Sequence, residues 1–265
     1  MSTATPEPAL SPRDVAGLLE KAFSEKTNAY IAGGQALNFW ASMFSGRTSD
    51  LAQYAPYVSK DIDFFGFFED AAIIAAALGA DIERPSLEDN SPNTAVLLIN
   101  AGGYKLVIDF IGSILGAQLK HVEDFGSLEV EFPIADESMQ TTGEVVTIPV
   151  MHPLVCLESR VGNVVTLRRA GALSMRQLQA SVIVLREYIA LSLEDDHPEA
   201  MRCIAGLFEY ARSSIEARIL HERHSIDIMD ALKGIADHPR LDPRYRDKTL
   251  APMIEKIKSK RRGPN

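Results

Sequence analysis

The segment from Tyr30 to Asp109 constrains the fold most, because it places a glycine turn and three acidic residues in order along short apolar stretches. Gly33-Gly34 ends the first stretch, and Asp61 and Asp63 are one residue apart on the second. Residues two apart on a strand point to the same face, so these two carboxylates share a face. Asp109, at the end of a third stretch, would complete the group from a neighbouring strand. We therefore predict three carboxylates at one point beside a glycine turn.

Hydrophobic periodicity divides the chain into a strand-rich part and a helical part. Before residue 150 the spacing predicts helices from Pro12, after Gly33-Gly34 and over 69–78, a strand at 60–65, a hairpin of 94–100 with 104–111, and strands at 128–134 and 144–150. From His152 onward only helical patterns remain, at 152–166, 173–193, 198–236 with a break, and 243–260. We expect an α+β domain over residues 1–150 and a helical domain over residues 151–265.

Composition excludes two broad classes of function. No apolar run reaches the roughly 18 residues that a membrane helix needs, and the first residues lack the basic and apolar regions of a secretory signal. The two cysteines, Cys156 and Cys203, lie in apolar, helical segments and are predicted to be buried thiols. We expect a cytoplasmic protein without a membrane partner and without redox chemistry.

The charge of the chain is unevenly distributed. Residues 1–150 hold 8 Lys and Arg against 21 Asp and Glu, a net charge of −13, whereas residues 151–265 hold 19 against 15, a net charge of +4. An acidic half suits cations and a basic half suits phosphates, which fits an enzyme that holds metal on one side and a polyanion on the other. A chance imbalance explains the numbers equally well.

The three carboxylates are the ligands expected of a site for two divalent ions. Oxygen ligands favour Mg²⁺, and two such ions can activate an attacking oxygen and stabilise a leaving one during nucleotidyl transfer. In this interpretation Asp61 and Asp63 flank both ions, and Asp109 completes the site of the ion that activates the nucleophile. Burial of such acids beside Phe64 and Phe65 would be costly unless a cation neutralised them.

Residues around these acids are candidates for contacts with a nucleotide. The backbone N–H groups of Gly33-Gly34 can approach a triphosphate at the start of a helix, with Gln35 beside them. Ser59 and Lys60 precede the acid pair, and at most one of them can face a phosphate because neighbours on a strand point to opposite faces. Lys105 lies an even number of residues before the last acid and is therefore predicted on the same face.

The helical half contributes weaker candidates. Four arginines are close enough in sequence to form a basic rim for a triphosphate or an RNA backbone, namely Arg160, Arg168, Arg169 and Arg176. Arg160 is the strongest of them, since the apolar residues around it indicate a helix that packs. His221 and His224 have the spacing of metal ligands on a helix, but a solvated helix face explains them better because no third ligand follows.

Three runs resemble the DNA polymerase β-like nucleotidyltransferase superfamily: Ile31-Ala-Gly-Gly-Gln-Ala-Leu-Asn38, Ser59-Lys-Asp-Ile-Asp-Phe-Phe65 and Lys105-Leu-Val-Ile-Asp-Phe110. Within it they are most similar to the AbiEii-type nucleotidyltransferases, the toxins of toxin–antitoxin and abortive-infection systems. The resemblance covers mainly residues 28–112. It implies a nucleotidyltransferase-type mixed sheet, with Asp61, Asp63 and Asp109 as metal ligands and the glycines as the phosphate turn.

By this resemblance we expect an enzyme that uses two Mg²⁺ ions to transfer a nucleoside monophosphate from an NTP to an acceptor hydroxyl. The acceptor would be RNA, such as a tRNA 3′ end, or protein, and an antitoxin protein would be a further partner. The chain departs from the superfamily in having Gly-Gly-Gln where Gly-Ser is common. Two alternatives therefore stay open: a nucleotide-sensing or protein-binding module without catalysis, and a metal-dependent nuclease.

Overall fold

The computed structural model of the chain describes residues 10, 12–59, 61–86, 88, 91–101, 104–135 and 141–261. It divides into two compact units. The first comprises Met1–Ser42, Ala55–Ile114 and Ser127–His152, and the second comprises Met43–Tyr54, Leu115–Gly126 and Pro153–Asn265. The main boundary lies two residues beyond the expected one, but two segments of the expected first domain belong to the second unit.

The first unit is α+β and is built on a seven-stranded mixed sheet. Its strands are β1 (Tyr30–Ile31), β2 (Ile62–Phe65), β3 (Asp81–Glu83), β4 (Asn93–Ala101), β5 (Tyr104–Ile111), β6 (Ser127–Ala135) and β7 (Thr141–Met151). Their order across the sheet is β3-β4-β5-β2-β1-β7-β6. The pairs β2 with β5 and β1 with β7 are parallel, and the others are antiparallel. The predicted hairpin is confirmed as β4 and β5.

The central strands show the alternation expected of a sheet with one packed face. Ile62 and Phe64 of β2 are fully buried, while Asp63 between them is only half-buried. Phe64 contacts Phe110 of β5 edge to face, with ring centroids 5.2 Å apart, and Phe23 lies 5.4 Å away on the same side. Aromatic packing thus defines the core face, and the acidic residues occupy the other face.

Three helices complete the first unit: α1 (Pro12–Ala22), α2 (Gly33–Phe44) and α3 (Phe68–Leu78). Helix α1 begins at Pro12 as predicted, because proline at the first helical position has no N–H to leave unpaired. Asp70 fixes the start of α3 by accepting hydrogen bonds from the backbone N–H groups of Phe67 and Asn28, both at 3.0 Å. Trp40 of α2 donates its indole N–H to the Met151 carbonyl at 2.8 Å and so anchors α2 to the end of β7.

The second unit is helical, and its described residues contain no strand. Its helices are α4 (Leu119–Phe125), α5 (Pro153–Val165), α6 (Ala172–Asp195), α7 (His197–Ser213), α8 (Ile215–His224), α9 (Pro243–Tyr245) and α10 (Ala251–Arg261). Further helical turns cover Ser49–Tyr54, Ile228–Leu232, Ile235–Asp237 and Arg246–Leu250. The break expected within 198–236 lies at Ser214, whose hydroxyl accepts the Ala217 N–H at 3.0 Å and starts α8.

The core of the second unit is formed mainly by α5, α6 and α7. Cys156 on α5 and Cys203 on α7 are both buried free thiols, as predicted. Burial raises the pKa of the Cys156 thiol to about 12, which keeps it protonated at neutral pH. Among the described residues no helix combines the length and the apolar character that crossing a membrane requires.

Candidate functional site

Two of the predicted carboxylates lie side by side on the sheet. Asp63 on β2 and Asp109 on β5 are direct partners in a parallel pairing, so their Cα atoms are about 5 Å apart and their side chains project from the same face. Both are half-buried. Asp61, two residues before Asp63, is exposed just ahead of β2. The structure therefore places Asp63 and Asp109 side by side on two adjacent strands, and the charge of Asp61 acts on Asp109 from just ahead of β2.

The electrostatics of Asp109 reflect this proximity. Burial raises the pKa of its carboxyl group, the negative charge of Asp61 raises it further, and a hydrogen bond from Asn93 opposes both without reversing the shift. The Asn93 side-chain amide donates to Asp109 Oδ1 at 2.8 Å. The acids thus repel one another on a partly dehydrated surface, and a bound cation would convert this repulsion into attraction.

Gly33 lies directly against Asp63 at the start of α2. A Cβ atom added to Gly33 would lie 1.8 Å from Asp63 Oδ2, and the residue has a φ of +62°, a conformation that favours glycine. The backbone of Asp63 also holds this turn, because its carbonyl accepts the Ala32 N–H at 2.8 Å. The predicted glycine turn and acid pair are therefore in contact, and the start of α2 already faces one negative group.

The donor chemistry suits a hard cation, but the described side chains do not form a closed cage. Asp61, Asp63 and Asp109 offer only carboxylate oxygens, which Mg²⁺ prefers over nitrogen or sulfur. In the described part of the chain no group of three or more His, Cys, Asp or Glu side chains is arranged to hold a metal ion. Metal binding by these acids stays a prediction.

Gln35 has a structural position instead of the predicted place beside a phosphate. Its side chain is fully buried, and its amide donates to the Leu10 carbonyl at 3.0 Å. Leu10 in turn pairs with Ser59, whose carbonyl accepts the Leu10 N–H at 2.8 Å and whose N–H donates to the Leu10 carbonyl at 3.0 Å. Gln35 thus fixes the segment that holds Ser59 just ahead of the acid pair, because the first turn of α2 points it into the core.

The basic candidates differ in what the structure shows of them. Lys60 lies outside the described residues, and Lys105 lies on β5 opposite Asn100 with its side chain outside the described part. Arg160 belongs to the second unit, where it is 8% exposed on α5. Its guanidinium donates to Gln177 Oε1 at 3.1 Å and to Ser159 Oγ at 3.3 Å, and its contact with a phosphate stays a prediction.

Gly33→Ala is expected to lower the free energy of unfolding by about 2–3 kcal/mol, because the new Cβ atom meets Asp63 and alanine disfavours a positive φ. Chemical denaturation followed by circular dichroism measures the change. Gly17→Ala is the matched control, since a Cβ atom there meets nothing within 4 Å inside helix α1. It should be neutral or stabilising by up to about 1 kcal/mol. Equal behaviour of the two variants would contradict the contact.

Asn93 is the site residue that sequence reasoning missed. It begins β4, and its amide reaches Asp109 across the hairpin. A polar residue at the first position of an apolar strand is the only local signal of it. The pairing that brings the amide to the carboxylate depends on a register shift between Asn93 and Ala95, which a periodic pattern does not reveal.

The geometry of this site is the basis for assigning a function to the chain. The motifs that carry the resemblance are short and confined to residues 28–112. Their glycine turn and their acids meet at one place on the sheet. Comparisons of the chain with protein-family models, with curated proteins and with solved structures find no match.

Proposed function

We propose that the chain is a Mg²⁺-dependent nucleotidyltransferase that transfers a nucleoside monophosphate from an NTP to an acceptor hydroxyl and releases pyrophosphate. The observation that carries the proposal is the in-register pairing of Asp63 with Asp109, with Asp61 beside them and Gly33 against Asp63. Acids paired across two parallel strands, next to the start of a helix, suit a triphosphate held by metal ions.

Each residue has a distinct task in the proposed reaction. Asp61 and Asp63 would hold the metal ions that neutralise the triphosphate, and Asp109 would complete the site of the ion that activates the acceptor hydroxyl. Bound Mg²⁺ supplies charge neutralisation and a more acidic attacking hydroxyl. Asn93 fixes the Asp109 carboxylate through the 2.8 Å hydrogen bond, which keeps one oxygen occupied and leaves the other for a ligand.

The start of α2 is the proposed place for phosphate groups. The N–H groups of the first helical turn favour negative charge there, beside the Asp63 carboxylate against which Gly33 packs. The chain has Gly-Gly-Gln where Gly-Ser is common in the superfamily it resembles, and Gln35 is buried, so the backbone is proposed to make this contact alone. Lys60 and Lys105 remain candidates for further phosphate contacts.

The acceptor class and the biological role extend the proposal. An RNA acceptor, such as a tRNA 3′ end, fits the net positive charge of residues 151–265. A role as a toxin, kept in check by an antitoxin protein, is supported by the motif resemblance alone. The sheet order with two parallel central pairs is compatible with the nucleotidyltransferase-type arrangement that this resemblance implies.

Label transfer tests the proposal directly. The full-length chain is incubated with each α-³²P-labelled NTP, Mg²⁺ and total RNA, and we expect label on RNA or protein, one pyrophosphate released per label, and complete loss of both with EDTA. NTP binding without pyrophosphate would instead indicate the sensing module. Cleavage of RNA without added NTP would indicate the nuclease.

A further inference from the structure

The second unit contains a cavity of about 480 Å³ at the carboxyl ends of α5 and α8. Its lining combines an apolar floor with basic side chains: Val164, Val165 and Ile219 with Arg168, Arg223 and His224. No aspartate or glutamate lines it among the described residues. Its size lies within the range of cavities that hold small ligands.

The arginines of this cavity differ from other arginines of the unit. Arg186 donates to Asp50 at 2.7 Å and Arg202 is paired with Glu199, so their charges are compensated within the protein. Arg168 and Arg223 form no ion pair with any carboxylate in the described part of the chain. Two guanidinium groups beside a histidine therefore face the cavity with their charge available to an anion.

Backbone geometry holds Arg168 at the cavity. It has a φ of +53°, a conformation that L residues rarely adopt, and the only other described non-glycine residue with positive φ is Ser225, directly after His224. The turn that carries Arg168 is fixed by hydrogen bonds from the N–H of Thr166 to the Gly162 carbonyl at 2.8 Å and from the N–H of Arg169 to the Asn163 carbonyl at 3.0 Å. A left-handed residue is common where a helix ends, so this geometry fixes the position of Arg168 and does not by itself indicate a site.

We propose that this cavity binds a nucleotide unit, with the arginines on its phosphate and the apolar floor against its sugar or base. A planar guanidinium group can donate two parallel hydrogen bonds to the oxygens of one phosphate. The apolar side chains of the cavity favour the uncharged part of the same ligand. Cations at the end of α8 also offset its helix dipole. The same effect applies to Arg168 beyond the end of α5. Because each helix end carries only about half a negative charge, two guanidinium groups still leave the cavity with net positive charge. The proposal goes beyond the nucleotidyl transfer proposed above and does not rest on it.

Fluorescence anisotropy with a labelled eight-residue oligoribonucleotide tests this site in the full-length chain at fixed ionic strength. We expect Arg168→Gly and Arg223→Gln each to weaken binding about 10-fold or more, the loss typical of a charge-assisted hydrogen bond. Arg240→Gln is the matched control, because it makes the same charge change at an exposed position outside the cavity and should leave Kd within about twofold.

Arg168→Gly also separates binding from folding. Glycine favours the positive φ at this position, so the variant should keep or raise the melting temperature while it loses the phosphate contact. Competition by AMP at concentrations similar to the oligonucleotide would support the site for free nucleotides, and competition only by unlabelled RNA would support it for a strand. Unchanged binding in both cavity variants, or displacement by inorganic phosphate as effective as by AMP, would overturn the proposal.

Discussion

Glu158→Ala is expected to lower the free energy of unfolding by about 3–5 kcal/mol, because it breaks a fully buried, hydrogen-bonded pair of titratable side chains. Glu158 on α5 is 0% exposed and His121 on α4 is 1% exposed, and Glu158 Oε1 lies 2.6 Å from His121 Nδ1. The second oxygen of Glu158 accepts the backbone N–H of Gln118 at 2.9 Å. The truncation would leave both the imidazole and this N–H without a partner inside the helical unit. Urea denaturation followed by circular dichroism measures the loss.

The matched control is Glu209→Ala, which removes the same charge near the same ring. Glu209 Oε2 lies 3.9 Å from His121 Nε2, but its side chain is 38% exposed to water and pairs with Lys120 at 3.2 Å. Exposed pairs contribute at most about 1 kcal/mol because water screens them. A similar loss in the free energy of unfolding in both variants would show that the buried pair stabilises the fold no more than the pair at the surface.

The same pair predicts how stability depends on pH. Burial opposes the positive charge on His121, but its hydrogen bond to Glu158 and the charges of Glu158 and Glu209 outweigh this and raise its pKa. A raised pKa in the folded state means that the stabilisation is complete below the ordinary value of about 6.5 and is lost as pH rises through the folded value. Wild type should therefore lose stability above pH 6.5, by up to about 1.4 kcal/mol per pH unit. This slope should be absent in His121→Phe combined with Glu158→Leu.

The fold was largely predictable because most of its elements produce a local signal. Short apolar stretches that each contain an aspartate indicate β2 and β5 in the sequence, and apolar residues at helical spacing indicate α1, α5 and α6 over several turns. Helix α4 was missed because its seven residues give less than two full turns of pattern. The inclusion of Met43–Tyr54 and Leu115–Gly126 in the second unit was also not predictable, since it depends on packing between segments that are distant in the sequence.

The placement of the acids was predictable where strand geometry determines it, whereas their role stays a prediction. A side-chain period of two places Asp61 with Asp63, and parallel pairing with β5 then brings Asp109 beside them. Gln35 was misplaced because α2 begins at Gly33 itself and not after Gly33-Gly34, so that Gln35 turns into the core. The His121 and Glu158 pair was missed because its members are 37 positions apart and neither has a local pattern that indicates the other.

Asp63→Asn and Asp109→Asn are each expected to reduce label transfer from NTP about 1000-fold, if the acids hold Mg²⁺ as proposed. The charge stabilisation that a bound metal ion supplies amounts to several kcal/mol of the activation barrier, and about 4 kcal/mol corresponds to this factor. Asparagine keeps the size of aspartate, so the contact with Gly33 and the hydrogen bond from Asn93 are preserved. Initial rates of pyrophosphate release at saturating NTP measure the effect.

Stability separates this loss from misfolding. Asp109→Asn removes a carboxylate that burial and the neighbouring Asp61 make costly to ionise, so the variant should be as stable as wild type or more stable. Asp81→Asn is the control for charge, because Asp81 is exposed on β3, and it should retain both activity and stability. Full activity in Asp109→Asn would show that Asp109 is not a ligand of the proposed metal ions. Loss of activity together with loss of stability would mean that Asp109 stabilises the folded sheet. A side chain that acts only on a bound metal ion can be replaced without loss of folding stability.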